Sequence, residues 1–335
     1  MALVTEEESP LFYQIDSSSS GHRLGRISLW AQSKAGKYVF LPASHPRSLN
    51  MTEKQILSAR KSIHSSPHIH QDWVCQQGRI SLAGTLLDVL VVRKRNFDTK
   101  RWTLVALGSG QFYETKFLFG EDLRNLLNLL DTHAVLFNYP GVGLSQGFPI
   151  KQAMVDAHLA MISLVEDQNR GLGAEEIIFY GHSIGGGVQA EALLHHTFLP
   201  HIAYVAVKSR TFSSLSEVAA DKTRKHWLKK MLAKQTVRSL DWEMRTARSS
   251  LLLSIPEIVL QTAFVRQYQE LDSLEKIADD NVISPQVSLA WSLLQAPKSR
   301  RKSKILVGVP ENHNGDFTDE ATLALLIQNS LGKAL

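Results

Sequence analysis

From Trp73 onward the chain alternates short apolar runs with longer amphipathic stretches, and this alternation constrains the fold more than any single motif. WVCQQGRI and TLLDVLVVRK read as a pair of strands, WTLVALGSG as a buried strand, and FYETKFLFGEDLRNLLNLLDTH as one amphipathic helix. AVLFNYPG (strand), IKQAMVDAHLAMISLVEDQ (helix), EEIIFYGHS (strand), GGVQAEALLHH (helix) and IAYVAVKSR (strand) continue the series. Strands separated by helices of this length need crossover connections, so they predict an α/β fold: a mostly parallel central sheet with helices on both faces. In such a sheet, function gathers at the carboxyl ends of the strands.

After IAYVAVKSR the period breaks. Residues 211–255 read as basic, serine-rich helices ahead of the strand-like EIVLQTAF. An insertion at this point lies over the strand ends and is expected to be a helical lid or cap. A polar stretch ending in DDNVIS, a helix VSLAWSLLQ, a strand KILVGVP, a loop ENHNGD and a closing helix TDEATLALLIQNSL complete the chain. Residues 1–70 carry no motif and read as an N-terminal extension to a domain spanning 71–335. Within them, SSSSG at 17–21 reads as a flexible loop, and Thr52 to Gln55 (TEKQ) as a capping box that opens a short helix. His64, His68 and His70 lie in HSSPHIH, where Pro67 interrupts helical spacing and no carboxylate or cysteine cluster accompanies them. An exposed loop is expected there in preference to a metal site.

The formal charge of the 335 residues is +5, yet residues 221–240 hold seven Lys or Arg against one Asp, a net +6. Trp227, Leu228, Met231 and Leu232 recur there at i, i+1, i+4 and i+5, with Lys222, Lys225, Lys229 and Lys230 mostly on the other side. Two readings follow: a helix packed on the body with solvated lysines, or a lid in peripheral contact with an anionic membrane surface. No zinc spacing, RNP-like aromatic strand or Gly-rich phosphate loop accompanies the charge, so no nucleic acid partner is expected. Residues 1–30 begin acidic and lack an apolar signal core, and LLLSIPEIVL, the most apolar segment, is interrupted by Pro256 and Glu257. The expected location is cytoplasmic, with a secreted effector or a membrane-peripheral protein as alternatives. A single cysteine, Cys75, excludes an intrachain disulfide.

Chemistry enters at IIFYGHSIGGG, where Gly181, His182, Ser183, Ile184 and Gly185 spell G-x-S-x-G between a strand and a helix. A sharp strand-to-helix turn holds its serine in a strained backbone, and its neighbours must lack a Cβ. The hydroxyl then stands at a helix N-terminus, where free N–H groups stabilise negative charge. A serine is a weak nucleophile at its free pKa, so it needs a base within hydrogen-bond reach and an acid to orient that base. In this type of sheet the chain order is serine, acid, histidine. His195, His196 and His201 lie in or just after the helix that follows the serine, and His226 lies in the basic helix. His313 instead follows the strand KILVGVP in a loop with Asn312, Asn314 and Gly315, and is the expected base. The acid candidates are Asp272, Asp279 and Asp280, the last in D-x-V-I.

With these residues in place, the chain resembles the α/β-hydrolase superfamily over roughly residues 73–330. GHSIG matches its nucleophile turn, FNYPGVGLSQG its Tyr-Pro-Gly-x-Gly-x-Ser turn, DNVI its acid loop, and NHNGD its histidine loop. LGSGQFYE, KSRTFSSLSEVA and DWEMRTARS together resemble the chlamydial CHLPS group of uncharacterised proteins. The resemblance implies an α/β-hydrolase fold and the roles Ser183 nucleophile, His313 base and Asp280 acid, with Asp279 and Asp272 as rivals. Many relatives carry His-Gly after the third strand, where this chain has LGSGQ. One oxyanion donor is therefore assigned to the Ile184 N–H and the other to Ser109 or Gly110. The expected activity is cleavage of an ester or thioester, of the carboxylesterase, lipase or acyl-thioesterase type, on a small-molecule or lipid-linked acyl substrate. That chemistry requires no metal or organic cofactor. The alternative is a hydrolase-fold protein that binds or interacts without catalysing.

Overall fold

Among the residues that the computed structural model describes, 11–15, 26–45, 52–223 and 227–332, ten strands form one mixed sheet. The loop expected at SSSSG, the acidic start of the chain and Lys225 lie outside the described residues. The strands are β1 (Leu11–Ile15), β2 (Trp73–Leu82), β3 (Thr85–Lys94), β4 (Arg101–Ala106), β5 (His133–Phe137), β6 (Glu176–His182), β7 (Ala203–Ser209), β8 (Glu257–Thr262), β9 (Gln269–Glu270) and β10 (Lys304–Val309). Their spatial order is β1-β2-β3-β5-β4-β6-β7-β8-β10-β9. From β5 to β10 every neighbour is parallel, whereas β3 runs antiparallel to β2 and β5, and the short β9 antiparallel to β10. Every residue of β5, β7 and β8 is buried, as strands covered by helices on both faces must be.

The helices are α1 (Arg26–Ala35), α2 (Glu53–Ser65), α3 (Pro67–Asp72), α4 (Tyr113–Phe119), α5 (Glu121–Leu129), α6 (Lys151–Glu166), α7 (Ile184–His195), α8 (Leu215–Lys222), α9 (Trp227–Ser239), α10 (Thr246–Leu252), α11 (Leu289–Gln295) and α12 (Glu320–Leu331). Two readings of the sequence need correction. The single helix expected between β4 and β5 is two, broken at Gly120, whose backbone leaves the helical region and where a Cβ would fall 2.4 Å from the Lys116 carbonyl oxygen. The loop expected at HSSPHIH is helical: α2 runs through His64, and Pro67 opens α3. Proline fits the first turn of a helix because its missing N–H has no partner to lose there. The capping box at α2 forms, with the Thr52 hydroxyl accepting from the Gln55 N–H and the Gln55 side-chain oxygen Oε1 from the Thr52 N–H.

The described part of residues 1–70 shares the main core. β1 pairs with β2, and Leu41, Ala43, Ile56 and Ile63 are buried in the same apolar cluster as the sheet. Arg60 reaches from α2 to Asp88 in β3 and, at 2.6 Å, to Glu114 in α4. Residues 211–255 carry α8, α9 and α10, and their base is firmly seated. Trp242 is fully buried, donates its indole N–H to the Gln32 carbonyl (3.0 Å) and stacks on Phe40 with centroids 4.8 Å apart. Gly36 permits this close packing, since a Cβ there would lie 1.8 Å from the Pro149 carbonyl oxygen. Beneath α10, Glu257 is wholly buried between the ammonium groups of Lys208 and Lys304 and also accepts from Ser250 Oγ.

Candidate active site

Strand β6 ends at His182, and the chain turns at Ser183 into α7 with φ 53° and ψ −121°, a conformation that L-residues rarely adopt. The turn is tight because its glycines allow backbone contact. A Cβ on Gly185 would lie 2.2 Å from the Ala106 carbonyl oxygen, and one on Gly181 2.8 Å from the Gly186 Cα. Ser183 donates its own N–H to the Ser209 carbonyl at the end of β7, while its carbonyl accepts from Thr211 Oγ1 and the Gly186 N–H. The backbone is thereby held from both sides, and the Ser183 hydroxyl is left to face His313.

The histidine loop follows β10. His313 Nε2 lies 2.9 Å from Ser183 Oγ, and its Nδ1 lies 2.8 Å from Asp280 Oδ2. The other oxygen of Asp280 accepts the N–H groups of Val282 (2.9 Å) and Ile283 (2.6 Å), and the His313 N–H donates to the Asp280 carbonyl. A carboxylate can only accept, so Nδ1 carries the imidazole proton and Nε2 is free to accept from the serine. Of the three acid candidates, only Asp280 is in contact with His313. Asp279 is exposed and caps its own turn at the Asn281 N–H, and Asp272 pairs at the surface with Lys276. The long excursion between β8 and Asp280 closes on itself: Ala263 bridges to Ile277, and the Ala278 N–H donates to the Thr262 carbonyl. The acid thus returns to the carboxyl end of its strand.

Around the expected anion position, the Ile184 N–H is the first of α7 and has no intrahelical acceptor. On the β4 side, Gly108 donates its N–H to the Gln111 side-chain carbonyl (2.9 Å), and Ser109 uses its carbonyl to accept from Ala43. The N–H groups of Ser109 and Gly110 have no acceptor among the described residues. The Tyr139 hydroxyl, from the FNYPGVGLSQG turn, donates to the Leu107 carbonyl (3.2 Å) and fixes this loop. Ser145 of the same turn bonds the Asn138 carbonyl and the Asp88 N–H, so its serine braces the backbone.

One contributor escaped the sequence reading. Arg210, two residues short of a bridge between Phe212 and Ser288, is 3 % exposed and sits at φ 48°. Its guanidinium donates to the carbonyls of Asn312 and Gly315 (2.7 Å to the latter), the residues flanking His313 and Asn314, and lies over the Phe317 ring. No carboxylate is within ion-pair distance of it among the described residues. His182 packs against His313 with ring centroids 5.0 Å apart. Burial, then the charge of Arg210 and the neighbouring His313, hold His182 well below the ordinary imidazole pKa, so it is a neutral spacer. A cavity of about 20 Å³, room for about one water, lies among Gln111, Lys116, Asp122, His182, Arg210 and His313. Elsewhere in the fold, burial pushes the Cys75 thiol in β2 up to about 12, which keeps it protonated near neutral pH.

A parallel sheet with its serine turn, acid loop and histidine loop all at the carboxyl ends of the strands is an α/β-hydrolase fold. An α/β-hydrolase from Vibrio vulnificus superimposes with a TM-score of 0.59 at 12% identity, covering 98% of each chain. An esterase from Pyrococcus furiosus (TM-score 0.56, 11% identity, 78% of this chain and 92% of that one) and acetyl xylan esterase 1 from a Thermoanaerobacterium species (TM-score 0.52, 12% identity, 77% and 84%) share the fold. No curated protein matches the chain. Over residues 27–332 it matches the family described as Chlamydia CHLPS protein (DUF818), and it belongs to that family.

Proposed function

We propose that the protein is a serine hydrolase that cleaves an ester or thioester through an acyl-enzyme. The observation that carries this reading is the unbroken chain of hydrogen bonds from Asp280 through His313 to Ser183. His313 Nε2 takes the serine proton as Oγ attacks the carbonyl carbon. Negative charge develops on the carbonyl oxygen, and the N–H groups of Ile184 and of Ser109 or Gly110 stabilise it, each for about 10² to 10³ in rate. The imidazolium returns its proton to the leaving oxygen or sulfur. Water, deprotonated by the same histidine, then releases the acid and restores the serine. Asp280 holds the tautomer and stabilises the imidazolium without itself taking the proton.

A fluorophosphonate probe tests this directly. The native protein is expected to be labelled and Ser183→Ala not, with the fold unchanged by circular dichroism. A series of p-nitrophenyl and coenzyme A esters then orders the acyl groups. Equal labelling of the two proteins, or none of either, would refute the reading.

A further inference from the structure

Helix α9 faces the wrong way for a helix of a water-soluble body. Its inward residue Val237 is buried and Ala233 is half-buried, whereas Trp227, Leu228, Met231 and Leu232 are 68, 42, 50 and 55 % exposed. At about 100° per residue, the centre of these four side chains lies about 170° from the centre of the inward two. The apolar stripe therefore lies on the side of the helix opposite its buried face. Lys229 and Lys230, both exposed, project about 60° beyond either edge of it. A contiguous exposed apolar face is uncommon in a protein that meets only water.

We propose that α9 docks on an anionic lipid surface. The apolar stripe enters the boundary between headgroups and acyl chains, and the flanking lysines extend to the headgroup phosphates, as long basic side chains do at such a boundary. Charge complementarity selects the anionic surface: the segment 221–240 carries a net +6 on a chain of net +5. Lys234 is neutralised by Glu217 and Arg238 sits 3.3 Å from Glu243, but Lys222, Lys229 and Lys230 have no carboxylate within ion-pair distance among the described residues. The same end of the molecule exposes Phe148 and Phe264, which follow the carboxyl ends of β5 and β8.

The docking face is tied to the candidate site. Asp221, in the last turn of α8, accepts from Ser284 Oγ at 2.9 Å, and Ser284 directly follows Ile283, whose N–H binds the Asp280 carboxylate. Helix α8, against which α9 packs, thus rests on the acid loop, and a lipid surface held by α9 lies at the end of the sheet that carries the candidate site. This adds a partner to the hydrolase reading but does not depend on turnover.

The test is co-sedimentation with vesicles of phosphatidylcholine containing about one-third phosphatidylserine, beside pure phosphatidylcholine, with a short soluble ester as control. The native protein and Ser183→Ala are expected to bind the anionic vesicles alike, to bind pure phosphatidylcholine weakly, and to lose binding in high salt. The pair Lys229→Glu and Lys230→Glu is expected to weaken binding by at least about 100-fold. Met231→Ser with Leu232→Ser is expected to weaken it with every charge kept. Turnover of the short ester is expected to stay at the native level in both double variants. Absence of binding by the native protein, or binding untouched by lysine reversal, would overturn the proposal. Self-association that disappears in Met231→Ser with Leu232→Ser, without vesicle binding, would overturn it in favour of a second copy of the chain.

Discussion

Replacing Arg210 with methionine separates positioning from folding at the candidate site. Methionine keeps an unbranched stem over Phe317 and, like arginine, is a non-glycine residue at positive φ, so the backbone cost is unchanged. What is lost is the Nη1 group that donates to both the Asn312 and Gly315 carbonyls on either side of His313. Hydrogen bonds from a charged donor contribute about 1.5–3 kcal/mol each, so two of them amount to about 3–6 kcal/mol. Against this, a buried guanidinium without a carboxylate partner carries a desolvation penalty of several kcal/mol, which methionine avoids. The net loss of stability is expected at about 1–3 kcal/mol, since the bonds lost to part-buried carbonyls are partly offset by the desolvation that methionine avoids.

The consequence for turnover is larger than that for folding. His313 must meet both Asp280 and Ser183 within hydrogen-bond distance, and a displacement of about 1 Å at such a site costs about 10²-fold in rate. In ester hydrolysis, kcat of Arg210→Met is therefore expected to fall about 10²-fold with KM little changed, and fluorophosphonate labelling to slow in parallel. Arg210→Lys restores the charge but only a point donor, so it should recover part of kcat. A merely structural arginine would lower the urea midpoint of both variants and leave kcat of the folded protein at the native level. That result would refute the positioning role.

Within the relay, His313→Ala and Asp280→Asn are each expected to lower kcat by about 10³ to 10⁴, while Asp279→Asn and Asp272→Asn stay near native; loss of turnover in either of the latter would reassign the acid. Gly185→Ala drives a Cβ into the Ala106 carbonyl and is expected to destabilise by about 3 kcal/mol or more, read by urea denaturation. A native midpoint would show that this approach is not as close as described. Burial alone would raise the Glu257 carboxyl, but Lys208 and Lys304 outweigh it and hold the group below its ordinary value. Its contribution to stability is thus full above the unfolded carboxyl value of about 4.3 and is lost as pH falls through the folded one. Glu257→Gln strands two buried ammonium groups and is expected to cost about 3–5 kcal/mol at neutral pH; an unchanged melting temperature would contradict this.

The strands and helices from Trp73 to the end of the chain were legible because each carries its own period, and burial on both faces gives β5, β7 and β8 the apolar runs AVLF, AYVAV and IVL. The break at Gly120 was not, since the apolar spacing of FYETKFLFGEDLRNLLNLLDTH continues across it and only tertiary contact decides whether one glycine interrupts a helix. Lys116, on one side of the break, bonds both oxygens of Asp122 on the other, so side chains span what the backbone does not. The integration of residues 26–72 was equally hidden. It rests on contacts distant in the chain, Trp242 with Gln32 and Phe40, and Arg60 with Asp88 and Glu114, and no local pattern encodes a partner so far away.

Within the candidate site, the groups proposed to react and the groups that hold them differ in legibility for a physical reason. Ser183 and His313 announce themselves because a serine in a glycine turn and a histidine in a loop after a strand need particular neighbours in sequence. An acid needs only to arrive, which is why Asp272, Asp279 and Asp280 stayed open until the return of the chain at Ala263 and Ile277 brought one of them under the imidazole. Arg210 acts on backbone carbonyls about a hundred positions away, and carbonyls exist at every residue, so nothing in the sequence of the histidine loop calls for it. α9 belongs to a third category. Its apolar stripe and lysines were visible in the sequence, but which side faces the protein depends on where Val237 and Trp242 anchor the insertion. Only with that anchor known does the stripe point outward, and a pattern that would otherwise be a packed helix becomes an exposed apolar surface, the one proposed above to dock on lipid.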